Sequence, residues 1–241
     1  MTQSVASLRL VVTRSEPGAR REFLVLRRGA YVVLDLIAAA ARTDPSLYFR
    51  YSCRSGYCGT CTILVDGRPA LACQTTLPTS AGVVHVAPLG GFPVVRDLVV
   101  DPAPFAARWT AVDGRLAPVA RPAEEEDAVQ SIPPGPRPLD TESRRPIDES
   151  LDCISCGACF AACDLSTSDG AFFGPAALTR AMVLVADRRD ADRAGRLAVV
   201  AGREGVEGCH GIGACSLVCP RRLDPARAIR RLRRWRVTGL P

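Results

Sequence analysis

The chain contains no lysine: all 31 of its basic residues are arginine. A uniform replacement of that kind reads as genome composition rather than as chemistry. Aromatic residues are scarce, at 5% of 241 residues, so a large conventional core is not expected in either half of a chain whose length suits two domains. No apolar run reaches the roughly eighteen residues that a membrane-spanning helix needs. The N-terminal stretch MTQSVASLRLVVTRSEPG lacks the apolar segment of a secretory signal. Arg20-Arg21 is followed by Glu22 and a short strand-like run, which is not a twin-arginine signal. These absences place the chain in a reducing cytoplasm, where cysteines bind metals or do chemistry rather than form disulfides.

What the chain does have is eleven cysteines, and three spacing sets use all of them. Cys53, Cys58, Cys61 and Cys73 read C-x4-C-x2-C-x11-C. Cys153, Cys156, Cys159 and Cys163 read C-x2-C-x2-C-x3-C. Cys209, Cys215 and Cys219 close the chain, with Pro220 directly after the last and Ile212 where a C-x2-C spacing would put another cysteine.

Patterning around the sets predicts a mixed first half and a helical second half. Leu8 to Thr13 and Glu22 to Leu26 alternate as a strand pair, with turn residues Glu16-Pro17-Gly18 between them. Val32 to Ala41 has helical composition and ends before Asp44-Pro45. Thr62 to Val65, Asp66-Gly67 and Arg68 to Cys73 predict a hairpin that returns Cys73 beside the first cysteine loop. From Pro102 to Pro146 proline and charge dominate, including PPGPRP at 133–138 and EEED at 124–127, which suits a linker or surface strap. Helices are predicted from Ala176 to Asp187 and from Asp224 to Arg236, the latter with Asp224 as cap and Pro225 at the first helical position. The expected domains are therefore 1–101, a strap over 102–146, and 147–241.

Iron-sulfur clusters need several thiolates from one tight loop and another from elsewhere. The first set has the plant-type 2Fe-2S spacing; the competing zinc reading normally requires paired C-x2-C units. The second set repeats the bacterial ferredoxin run, whose fourth cysteine serves the neighbouring cluster. Crossing the ligands assigns Cys153, Cys156, Cys159 and Cys219 to a 4Fe-4S centre and leaves Cys163, Cys209 and Cys215 for the other. Three thiolates suit a 3Fe-4S centre, with Ile212 at the vacant ligand place; the alternative is that Ile212 merely packs while water or another side chain binds a fourth iron. The formal charge of +6 invites a nucleic-acid reading. With each loaded centre carrying roughly -2, that excess is about cancelled, and no nucleic-acid partner is expected.

At this point the residues resemble a family, the iron-sulfur subunit of succinate dehydrogenase and fumarate reductase, over nearly the whole chain. The resemblance is carried by DPSLYFR at 44–50, the CRSGYCGTC loop, PVVRDLVVD at 93–101, CISCGAC at 153–159, FGPAAL at 173–178 and CSLVCP at 215–220. It implies an α+β protein: an N-terminal β-grasp 2Fe-2S ferredoxin domain, then an all-helical ferredoxin-like domain with two clusters. It also implies a partner flavoprotein with covalent FAD, a membrane anchor that holds quinone, and a place on the cytoplasmic face of the cell membrane. No catalytic residue is expected in this chain, because substrate chemistry belongs to the flavoprotein.

One segment departs from the family pattern. Many members have a proline after the cysteine equivalent to Cys163 and a tryptophan shortly downstream, whereas Cys163 is followed here by Asp164-Leu-Ser-Thr-Ser-Asp-Gly. That pattern resembles the branch working with menaquinone and a di-haem cytochrome b anchor. His210 follows a third-set cysteine and, by the same resemblance, lies near quinone or haem; a plain surface histidine is the competing reading. His85 reads as structural, the arginines of 227–236 as a solvated helix face offsetting cluster charge, and Trp109 and Trp235 as packing residues. Two other classes compete: a soluble ferredoxin-like carrier, and the small subunit of a molybdenum hydroxylase, whose first loop is similar but whose second half carries another 2Fe-2S domain.

Overall fold

The computed structural model describes residues 5–16, 18–28, 31–78, 82–119, 141–168 and 170–240. In the first half, β1 (Val5–Thr13), β2 (Arg20–Arg28), β3 (Thr62–Val65), β4 (Arg68–Leu71) and β5 (Val83–Ala87) form one sheet in the order β2-β1-β5-β3-β4. β1 pairs antiparallel with β2 and parallel with β5. Strand alternation sets the faces: Leu8, Leu10 and Val12 are fully buried, while Leu24 and Leu26 on the other face of β2 are exposed. α1 (Val33–Thr43) covers the buried face with Val33, Leu34, Leu36, Ile37 and Ala40, one stripe at helical spacing. It stops at Asp44, whose extended backbone is what a following proline imposes. β6 (Val94–Arg96) and β7 (Val99–Val100) make a small second sheet.

The hairpin expected at Asp66-Gly67 is present, with both residues at positive φ, 47° and 78°. An ionic knot ties the end of β1 to the end of α1 and to the β6–β7 turn. Arg14 reaches Asp44 at 3.1 Å and Asp97 at 3.0 Å, and Asp97 also accepts from the Tyr48 amide at 2.9 Å.

The second half is helical among the described residues. The stretch expected as strap is structured where it can be seen: α2 (Ala103–Ala111) lies within it, and residues 120–140, including PPGPRP and EEED, lie outside the described residues. Then follow α3 (Thr141–Leu151), α4 (Ala158–Ala161), α5 (Asp164–Ser168), α6 (Gly174–Ala186), α7 (Arg193–Val199), α8 (Ala214–Leu217) and α9 (Pro225–Thr238). α6 is buried nearly all round, so it is the axis of this half, with α2, α3, α7 and α9 packed on it. The low aromatic content does not leave thin cores. Both halves are packed with aliphatic side chains instead, such as Ile37, Val84 and Leu36 in one and Leu178, Met182 and Leu232 in the other.

A buried charge pair holds the strap. Arg196 and Asp190 are nearly inaccessible and meet at 2.9 Å. Arg196 also donates to the carbonyls of Asp113 and Arg115, and Asp190 accepts from the Ala117 amide at 3.1 Å. Removing one partner strands the other charge without solvent, which costs about 3–5 kcal/mol. Asp190→Ala therefore lowers the urea midpoint markedly, while Glu22→Ala, which breaks an exposed pair with Arg9, costs less than about 1 kcal/mol. Equal midpoints for the two variants would refute the distinction.

Candidate metal centres

The first loop is shaped around one sulfur. Between Cys53 and Cys58 the backbone turns back, so that the amides of Ser55, Tyr57 and Cys58 donate to Cys53 Sγ at 3.5, 3.4 and 3.3 Å. The Ser55 amide, followed by Cys58, holds the Cys53 thiol down at about 6, so it is largely thiolate at neutral pH. Cys61 and Cys73 are buried beneath the loop, and the Ala72 amide donates to the Cys61 carbonyl at 3.1 Å, which brings the return strand alongside. Burial pushes Cys61 up to about 11.

The second and third sets share a local design. In each, a left-handed glycine (Gly157, φ 77°; Gly213, φ 83°) caps a four-residue helix that carries a cysteine at its second position, Cys159 or Cys215. Aligning the two turns sets Cys153 against Cys209, Cys163 against Cys219, and Cys156 against Ile212. Ile212 is 74% exposed, so it does not pack into the core.

Two cavities then mix the sets. One is lined by Cys153, Cys156, Cys159 and Cys219 together with apolar residues including Ile154, Ala176 and Leu223. The other is lined by Cys163, Cys209 and Cys215, with His210, Ile212 and Phe172 on the same wall. Cys163 and Cys219 thus each face the cavity of the other run. His85 is exposed on β5 and stands apart from both cavities, its amide donating to Asp66 at 2.9 Å.

The donor chemistry fits metal clusters. All eleven cysteines are free thiols. Burial pushes Cys156 and Cys215 up to about 11, raises Cys153, and drives Cys159 well above its ordinary value, with repulsion between neighbouring thiolates adding to the effect. Such a group ionises only if a cationic core neutralises it, which is what iron-sulfur ligation supplies. Among the described residues no three His, Cys, Asp or Glu side chains close on a point as a single ion requires. Ligands of a polynuclear core surround a larger volume.

Three contacts were not legible in the sequence. A Cβ on Gly59 would lie 2.8 Å from both Cα and Cβ of Cys156, so the first loop rests directly on the second-set backbone. Phe92, Phe105 and Phe160 cluster beside this contact, with Phe92 and Phe160 centroids 4.9 Å apart, and a Cβ on Gly157 would meet Phe92 at 2.9 Å. The arginines of α9 are also not a uniformly solvated face. Arg231 pairs with Glu149 at 2.9 Å, and Arg233 donates to the carbonyls of Val206, at 2.8 Å, and Cys209, because neighbouring loops present acceptors to that side of the helix. Trp235 packs in the helical core, and Trp109 packs against the cluster of Phe105, Phe160 and Ala176.

A sheet domain and a helical domain, each built around converging free thiols, define an iron-sulfur electron-transfer protein. Comparisons with known proteins narrow this. Residues 10–107 match the family described as a 2Fe-2S iron-sulfur cluster binding domain, and residues 149–223 match the 4Fe-4S dicluster domain. The fumarate reductase iron-sulfur subunit of Haemophilus influenzae is 36% identical over 195 residues, covering 78% of this chain and 74% of the relative. The succinate dehydrogenase iron-sulfur subunit of Paracoccus denitrificans is 34% identical over 219 residues, covering 90% and 81%. The solved Mycobacterium smegmatis Sdh1 complex in the apo form contains a similar chain, with TM-score 0.79 and 25% identity, covering 98% of this chain and 99% of that one. The chain belongs to the succinate dehydrogenase and fumarate reductase iron-sulfur subunit family.

The Gly59 contact is directly testable. Gly59→Ala forces a methyl group into the Cys156 backbone at a residue held at φ 70°. The expected outcome is a severalfold loss of iron and acid-labile sulfide from the purified protein, whereas Gly67→Ala, with open space around its Cβ, keeps its iron. Full iron content in Gly59→Ala would show that the two loops need not touch.

Proposed function

We propose that Cys53, Cys58, Cys61 and Cys73 hold a 2Fe-2S centre, that Cys153, Cys156, Cys159 and Cys219 hold a 4Fe-4S centre, and that Cys163, Cys209 and Cys215 hold a 3Fe-4S centre. The observation that carries this is the second cavity, whose wall presents three thiols and Ile212 where its sister presents four thiols. The domain division that goes with it is 1–101, a linker and strap over 102–146, and 147–241. When bound, such clusters supply one-electron transfer without proton or bond chemistry in this chain.

The protein's own residues set the order of the path. Gly59 leaves no side chain between the first loop and Cys156, which supports adjacency of the first two centres. Cys159 lies within electrostatic reach of Cys215, and Cys215 of Cys163, which supports adjacency of the second and third. Phe92, Phe105 and Phe160 pack on one another beside the junction. Burial holds Cys61, Cys153, Cys156, Cys159 and Cys215 neutral until metal arrives, whereas Cys53 is already favoured as thiolate.

Electrons on this reading pass between the FAD of a partner flavoprotein, at the first loop, and quinone beside the third set. The anchor is a membrane subunit, of di-haem cytochrome b type with menaquinone if the segment after Cys163 follows that branch. His210, exposed on the wall of the second cavity, is placed to meet quinone or haem there. No helix among the described residues is long and apolar enough to cross a membrane, so attachment to the cytoplasmic face falls to the anchor.

Electron paramagnetic resonance of the native complex tests the assignment. The oxidised sample is expected to show a 3Fe-4S signal and the reduced sample a 2Fe-2S signal. Ile212→Cys supplies the fourth thiolate and is expected to convert the three-iron centre to a four-iron one, with loss of the oxidised signal. Retention of that signal in full would contradict the role given to Ile212.

A further inference from the structure

Arg221 follows Cys219-Pro220 and is the first cation after the last cysteine. Pro220 cannot continue a helix, and the chain turns so that Arg221 lines the four-cysteine cavity. Its guanidinium carbon lies 5.2 Å from the centroid of Tyr57, the residue before Cys58 in the first loop. Its Nη2 donates to Asp152, the residue before Cys153, at 3.1 Å. One side chain therefore touches the loop of the first set and the start of the second, and lines the cavity between Cys219 and Pro225.

Its Nε is buried and has no hydrogen-bond partner. A charge-assisted donor left unpaired in a shielded place is costly and calls for an acceptor. The same cavity gathers four half-buried thiols whose ionised forms repel one another. Arg180, which acts on Cys153, is already committed through its Nε to the Gly114 carbonyl at 2.7 Å. An acceptor rich in sulfur and negative charge is what the Nε–H of Arg221 lacks.

We propose that Arg221 is a redox-tuning residue: seated on Tyr57 and paired with Asp152, it turns its Nε–H and positive charge toward the four-cysteine centre and raises that centre's reduction potential. The inference rests on the assignment of Cys153, Cys156, Cys159 and Cys219 as its ligands. Taking up one electron makes the centre more negative by one charge, with no proton required. A nearby guanidinium favours that reduced form, and hydrogen bonds to cluster sulfurs act in the same direction. Because the same side chain sits over Tyr57, it also pins the first loop against the second set and ties the first two steps of the path to one residue.

The test is a potentiometric titration of the purified complex, followed by electron paramagnetic resonance, for Arg221→Gln and Arg221→Lys. Arg221→Gln removes the charge and is expected to shift the reduction equilibrium of the 4Fe-4S centre about tenfold toward the oxidised form, about 59 mV for a one-electron couple. Iron and sulfide content are expected to stay unchanged, and the 3Fe-4S potential to stay in place. Arg221→Lys keeps the charge but loses the planar donor, and a smaller shift of the same sign is expected. An unmoved 4Fe-4S potential in Arg221→Gln, or equal movement of all three centres, overturns the proposal. If Arg221→Gln fails to keep the cluster, Arg221→Lys decides: a wild-type potential there overturns the role of Nε. Cys219→Ser separates the two levels of the argument. If it leaves the 4Fe-4S spectrum unaltered, the ligand assignment falls; if it alters the spectrum while Arg221→Gln shifts nothing, only the tuning role falls.

Discussion

Thiols that are crowded, buried and mutually repelling cannot all ionise inside a protein, and the architecture of this chain is organised around that constraint. Where thiolates converge, the surrounding structure supplies what lowers their energy. Cys53, near the surface, receives three backbone amides. Cys156, Cys159 and Cys215, deeper in, are pushed up by burial and by repulsion between neighbouring thiolates, and on the proposed assignment it is metal that neutralises them.

The same constraint explains how the two halves meet. A path for electrons requires the first loop to lie close to the second set, and side chains at the junction would hold them apart. Gly59 and Gly157 remove those side chains where the backbones cross, and the phenylalanine cluster packs beside them. The strap performs the complementary task at the far end of α2, where the Arg196–Asp190 pair holds residues 113–117 to the helical half. Much of the arginine excess that invites a nucleic-acid reading is spent on such work, in Arg14, Arg196, Arg221 and Arg233, each bonded to carboxylates or carbonyls.

Legibility in the sequence followed the range of the interaction. Elements governed by near neighbours could be read closely: the Asp66-Gly67 turn, the Asp224-Pro225 start of α9, and the helix ending before Asp44-Pro45. Where composition stood in for contact, the reading was weaker. The proline-rich run after Pro102 contains α2, because Phe105 and Trp109, one helical turn apart, find apolar partners in Phe92 and Phe160 that composition cannot reveal. Few aromatics suggested small cores, yet valine, leucine and isoleucine at alternating or helical spacing bury enough surface to replace them.

The sequence by itself determined the spacing of the thiols, the place of Ile212 among them, and the glycines that permit each tight turn, since all of these act within a dozen residues or so of chain. Only the tertiary structure decided that Gly59 rests on Cys156, that Ile212 is left exposed, and that Arg221 bridges Tyr57 and Asp152. The physical reason is that these are contacts between distant parts of the chain, made by van der Waals exclusion and buried charge. Neither leaves a periodic trace in a one-dimensional pattern.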